Sequence, residues 1–208
     1  MGFRAIMVAG LAAIALSGCA AEQVWAPDDM VDRAAYVHDG PPRLTMFTMI
    51  NRETGKGGHT SLMINGSQRV IFDPAGSFKH ETLPERNDVV FGITPQVEDV
   101  YARYHARKTW YVRIQSLDVD AATAERALAL AQTKGPVPQA FCAKATSEIL
   151  ADVFPGQISS TFYPVQLSGQ FAELPGVTEQ NLYEYDSDDN SRVLAQWDPN
   201  GVTGRTTK

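Results

Sequence analysis

The chain has 208 residues, 44% of them hydrophobic, with a net charge of −6 and a sequence pI of about 5.2. A length in this range fits one domain around one core. The acidic balance, with no cluster of Lys and Arg, excludes the electrostatic footprint of a nucleic-acid binder.

The first residues read as an address. Arg4 is followed by an apolar run over residues 5–16, too short to cross a bilayer, and then by Leu16-Ser17-Gly18-Cys19. This segment resembles the lipobox of bacterial lipoproteins. The resemblance implies removal of residues 1–18, acylation of Cys19, and a tether over residues 19–41. Ala20 stands where an Asp would signal inner-membrane retention, so the expected location is the cell envelope, on the periplasmic face of the outer membrane. Cys142, the other of the two cysteines, is then left without an internal partner in an oxidising compartment.

In chain order, residues 28–36 are acidic and weakly helical, and residues 43–50 form a strand by their β-branched and aromatic content. A polar turn over residues 51–58 carries Gly55, Gly57 and Gly58 without the spacing of a phosphate-binding loop. His59 opens the next strand, which ends at Asn65-Gly66, a strong hairpin signal. Alternation on the returning strand puts Arg69, Ile71 and Asp73 on one face and Val70 and Phe72 on the other. A two-residue turn at Asn65-Gly66 places Phe72 or Asp73 opposite His59, where the carboxylate of Asp73 can orient the imidazole. Taken singly, His59 also reads as surface decoration and Asp73-Pro74 as a turn starter.

Residues 75–106 read as loop with a short helix over 97–105, and His80 and His105 are expected on the surface. Residues 109–117 form a strand, and Asp120 caps an alanine-rich helix over 121–134. The breaker-rich Gly135-Pro136-Val137-Pro138 precedes a helix over 140–153 that carries Cys142 in its first turn. A helix N-terminus and the nearby Lys144 both favour a thiolate there. A small, buried and inert thiol is the competing reading. Residues 155–176 are short apolar pieces broken by Pro and Gly, and the chain from Asp186 reads as a disordered tail. Four histidines and one thiol lie without ligand spacing, so neither metal nor other cofactor is expected.

A glycine-led histidine opening the strand Gly58-His59-Thr60-Ser61-Leu62-Met63-Ile64-Asn65-Gly66, followed by a hairpin, a strand, an alanine-rich helix and a cysteine at a helix start, resembles the circularly permuted NlpC-type papain-like thiol hydrolases. That superfamily includes bacterial lipoproteins and relatives of lecithin retinol acyltransferase. The similarity covers roughly residues 44–154. It implies an α+β fold, an antiparallel sheet packed against the cysteine helix, with the catalytic domain over residues 42–180 and a polar tail over 181–208. It also implies Cys142 as nucleophile, His59 as general base and a third polar residue on the following strand. Asp73 is the best match for that third place, with Arg69, Gln68 and His80 as alternatives. The implied chemistry is hydrolysis through an acyl-enzyme by a monomer held at the membrane by its lipid. Peptidoglycan stem peptides are the first expected substrate, and lipid esters or thioesters, or acyl transfer between lipids, the second. A non-catalytic envelope lipoprotein with a merely buried Cys142 is the reading from a different class.

Overall fold

The computed structural model describes residue 21 and residues 23–197; the segment carrying Cys19 and the last residues, 198–208, lie outside the described residues. The described chain is α+β, built on one seven-stranded sheet in which every neighbouring pair is antiparallel. In chain order the elements are α1 (Asp28–Ala34), β1 (Arg43–Asn51), β2 (Gly57–Asn65), β3 (Arg69–Phe72), β4 (Glu85–Arg86), β5 (Val89–Phe91), α2 (Pro95–His105), β6 (Trp110–Asp118), α3 (Ala121–Thr133), α4 (Cys142–Val153), α5 (Pro164–Ala172), β7 (Thr178–Leu182) and α6 (Ser191–Gln196). Across the sheet the strands run β4-β5-β3-β2-β1-β6-β7.

The central strands read as nearly continuous apolar runs because both faces of the sheet are covered. Successive side chains of a strand point to opposite faces. Leu44 and Met46 of β1, with Leu62 and Ile64 of β2, therefore join a core completed by Ala127, Leu128 and Ala131 of α3, Ile149 and Leu150 of α4, and Leu167 and Phe171 of α5. Phe47 and Met49, with Met63 and Ile71, join a second core under α2, filled by Val97, Tyr101 and Tyr104. Val70 and Phe72 fall in the first core and Ile71 in the second, as alternation along β3 requires.

The β2–β3 register differs from the one expected. The closing pair is Asn65 with Arg69, so the loop has three residues, Gly66 to Gln68, and Leu62 pairs with Phe72. Continued past the end of β3, this register sets Ser61 opposite Asp73 and leaves His59 as a diagonal neighbour on the same face. Diagonal neighbours in a sheet remain within reach of long side chains.

Residues 75–106 hold more structure than composition suggested. Asn87 and Asp88 both take left-handed φ values, 44° and 67°, and turn β4 into β5, as the residues of a tight hairpin must. Helix α2 starts two residues earlier than expected because the Thr94 side chain accepts from the Val97 N–H at 3.2 Å and Pro95 occupies the first turn. The chain from Asp186 is also ordered through Trp197. The Lys108 N–H donates to the Asp186 carbonyl at 3.0 Å, the Asp188 carboxylate accepts from the Thr109 N–H and hydroxyl at 2.9 and 2.7 Å, and Trp197 is buried in the α2 core. The hydrogen bonds are to residues some 80 positions earlier and Trp197 packs on residues still further back, so the polar local composition of this stretch does not reveal them.

Candidate active site

His59 sits just after an irregularity in the sheet. Met49 pairs with His59 but Ile50 pairs with Gly57, so Gly58 is the extra residue of a β-bulge. Bulges bend a strand and re-aim the neighbouring side chain. Glycine is required here by contact: a Cβ on Gly58 would lie 2.6 Å from the Trp110 ring, and one on Gly57 would lie 2.7 Å from the Cβ of Pro164.

The ring of His59 meets Asp73, with Nε2 2.7 Å from Oδ1. Asp73 is buried, and its Oδ1 lies 2.6 Å from the Tyr101 hydroxyl, which is itself 2.6 Å from the Ser61 hydroxyl. Since a phenol has one proton, Tyr101 gives it to the carboxylate and accepts from Ser61. Burial alone would raise the Asp73 carboxyl. The charge and hydrogen bond of His59, with help from His105 and Tyr101, hold it below the usual carboxylate range.

Behind Asp73 the chain turns sharply. The Gly76 N–H donates to the Asp73 carbonyl at 2.9 Å, and a Cβ on Gly76 would stand 1.8 Å from Asp73 Oδ2. Gly76→Ala is therefore expected to displace the carboxylate from the His59 ring and to slow alkylation of Cys142 about tenfold or more, with little loss of secondary structure, the sensitivity about 1 Å of misplacement confers. Circular dichroism beside iodoacetamide labelling checks this; wild-type labelling would show that the turn has slack.

Asp88 joins the two halves of the site. Its backbone carbonyl accepts from the Asp73 N–H at 2.8 Å, its Oδ1 from the Ala75 N–H at 3.3 Å, and its Oδ2 from the Val137 N–H at 2.7 Å. One residue thus fastens the turn of the acid to the loop that delivers the cysteine.

Cys142 is the first residue of α4 and is only 7% exposed. Ala140, at φ 67°, turns the chain into the helix. Burial pushes the Cys142 thiol up; a hydrogen bond and positive charge from His59, with the backbone N–H groups of Thr60 and Ala143, bring it below its ordinary value. Burial pushes His59 down as well, but the charge and hydrogen bond of Asp73, and then Cys142, carry it up to about 10. Both shifts favour the same pair, a thiolate beside an imidazolium. Lys144, expected to support the thiolate, instead pairs with Glu148 at 3.0 Å and with the Ser160 hydroxyl at 2.8 Å.

The sequence reading missed His105 as a neighbour of the site. Its ring stacks on that of His59, centroids 5.9 Å apart and planes 20° from parallel, and its Nδ1 donates to the Tyr101 carbonyl at 2.9 Å. Burial pushes His105 down to about 4, so the ring is neutral at ordinary pH. Its signal was the placement four residues after Tyr101 on one helix. The three alternatives to Asp73 lie elsewhere: Arg69 donates to Glu98 and to the Met63 sulfur, Gln68 belongs to the hairpin loop, and His80 bonds to Thr82 and packs on Trp197.

His59, Asp73 and His105 place donor atoms within 4.8 Å of one another, although their sequence spacing gave no such signal. Three such ligands are a set a divalent ion can use. An ion held there would take the His59 ring out of its bond with Asp73. A cavity of about 250 Å³ opens beside His59, walled by His105, Arg107, Trp110 and Asp188 among others.

Compared with family models, with curated proteins and with solved structures, the chain matches none.

Proposed function

We propose that the protein is a thiol hydrolase of the cell envelope, of the permuted papain-like type, that cleaves an amide bond through an acyl-enzyme. The observation that carries this reading is the pair His59 and Asp73, whose Nε2 and buried Oδ1 lie 2.7 Å apart, beside a buried thiol, Cys142, that His59 holds below its ordinary value. The order of elements supports the permuted fold, since the histidine strand β2 precedes the cysteine helix α4 that packs on it.

The chemistry follows from the groups present. The Cys142 thiolate attacks the carbonyl carbon, and N–H groups in the first turn of α4, which have no partner within a helix, face the developing oxyanion. His59, held as imidazolium by Asp73, protonates the leaving amine. The neutral imidazole then takes a proton from water, whose oxygen releases the acyl group and restores the thiolate. Stem peptides of the cell wall are the substrate class that suits an envelope lipoprotein. A second reading, hydrolysis of a lipid ester or thioester, is favoured by exposed Phe141 and Phe162, which pack edge to face at 5.3 Å next to the nucleophile.

Incubating the protein with purified wall stem peptides and, separately, with acyl phospholipids tests both. Release of new amino groups from the peptides, with a trapped acyl adduct on Cys142 in the mass spectrum, is the expected result. An adduct formed only from the phospholipid would move the substrate to the second class, and no adduct from either would end the hydrolase reading.

A further inference from the structure

Four apolar side chains that the mechanism does not use stand in solvent around the nucleophile: Phe141 at 43% exposed, Phe162 at 50%, Tyr163 at 70% and Val165 at 36%. Phe141 precedes Cys142 directly, and Pro164 and Val165 lie against Gly57, two residues before His59. The rim therefore flanks both members of the pair.

These side chains are held outward by construction. The loop that carries Phe162 and Tyr163 is pinned by the Thr161 N–H, which donates to the buried Ser147 hydroxyl at 2.9 Å, and by the Thr161 hydroxyl, which bonds to Gln166 at 2.6 Å. The Tyr163 N–H adds a third bond, to the Thr161 hydroxyl at 3.2 Å. Lys144, whose Nζ lies 5.7 Å over the Phe162 ring, is paired with Glu148. Fixed aromatic rings beside a neutralised ion pair suit the boundary between water and lipid, where an apolar body and a polar tip are both accommodated.

The start of the chain points the same way. The Asn87 N–H donates to the Val24 carbonyl at 3.0 Å, and the next residue, Asp88, holds both the Asp73 turn and Val137 of the cysteine loop. Val24 is only five residues on from Cys19. At full extension that stretch reaches at most about 18 Å. If Cys19 carries lipid, the end of the sheet that bears the site is the end kept at the bilayer.

We infer that the rim formed by Phe141, Phe162, Tyr163 and Val165 docks on the lipid surface and seats the mouth of the Cys142–His59 cleft against the membrane. The inference rests on acylation of Cys19 and is independent of whether Cys142 reacts. The opposite end of the sheet supplies an internal reference. Exposed Val37 follows Tyr36, whose carbonyl accepts from the Arg69 N–H at the far end of β3.

The test uses the full-length lipoprotein reconstituted in vesicles of phosphatidylethanolamine and phosphatidylglycerol with brominated acyl chains. Single variants Phe162→Trp, Tyr163→Trp and Val37→Trp each add one reporter, and the parent protein gives the background of its own tryptophans. The rim reporters are expected to shift to the blue and to be quenched severalfold more than the reporter at position 37. Equal quenching at the two ends, or stronger quenching at position 37, would overturn the docking. Shielding of the rim from aqueous quenchers without quenching by bromine would also overturn it, because a protein partner or a second copy would then cover the patch. A protein without acyl groups that stays in the supernatant unquenched counts against it equally. Repeating the measurement with Cys142→Ala should leave the quenching unchanged, which separates failure of this surface from failure of the hydrolase reading.

Discussion

Replacing His59 with Ala is expected to change the alkylation of Cys142 from a fast reaction at neutral pH to the slow one of an ordinary buried thiol. In the intact site the thiol lies below its ordinary value because His59 supplies a proton and a charge, and His59 itself is carried up to about 10. The thiolate is therefore favoured beyond what an isolated thiol would show. Without the histidine, a thiol near the reference value of 8.5 is only about 3% ionised at pH 7, and burial raises it further, so labelling by iodoacetamide should fall, by about thirtyfold where the wild-type thiol is fully ionised. The proposed hydrolysis adds a second limb. Its rate should rise as Cys142 ionises and fall again near pH 10, where His59 loses the proton the leaving group needs, while alkylation, which needs no acid, stays high there. Identical labelling profiles for the two proteins would mean that the cysteine is a core residue. Cys142→Ala should remove turnover by about four to six orders of magnitude.

Asp73→Asn is expected to cost about two to four orders of magnitude in turnover while leaving the fold in place. The amide fills the same space and its oxygen can still accept where Oδ1 does, but it brings no charge to hold His59 as imidazolium. With the opposing charge gone, burial dominates and His59 should titrate near or below its ordinary 6.5 rather than about 10. The sign of the effect on stability follows from linkage. His59, raised in the folded state, contributes stability that is complete below pH 6.5 and is lost as pH rises toward 10; Asp73, lowered in the folded state, contributes stability above about pH 3.8 that is lost under acid. The stability gap between wild type and Asp73→Asn should thus be widest between about pH 4 and 6.5 and shrink toward pH 10. Urea titrations at pH 5.5 and pH 10 measure it, and a gap that does not shrink would assign the Asp73 contribution to packing and to its bond with Tyr101 alone.

Much of the scaffold can be read from local pattern. The strands β1, β2, β3 and β6, and the helices α3 and α4, announce themselves by alternation, by capping residues such as Asp120, and by the breakers before Cys142. His59, Asp73 and Cys142 are visible because each sits at the end of an element beside a loop. What supports them is less visible, since it is made across long sequence distances. Tyr101 lies 28 residues from Asp73 and is an ordinary aromatic of an amphipathic helix until α2 is laid across the sheet. The role of Asp88 depends on a left-handed backbone and on partners on both sides of it in sequence, Ala75 and Val137. The β2–β3 register turned on a loop that starts one residue later and is one residue longer than the Asn65-Gly66 turn expected, a difference that alternation in a strand buried on both faces does not resolve.

The Asp88 clasp also bears on how the site behaves in motion. A turn and a loop from distant parts of the chain are referred to one side chain, so a displacement of either is shared by the other. The Asp73 turn and the loop that leads to Cys142 are thus referred to one clasp rather than to independent tethers. Loss of the Asp88 carboxylate is therefore expected to loosen both sides of His59 together, which would show as faster amide exchange at Ala75 and at Val137 in the same variant.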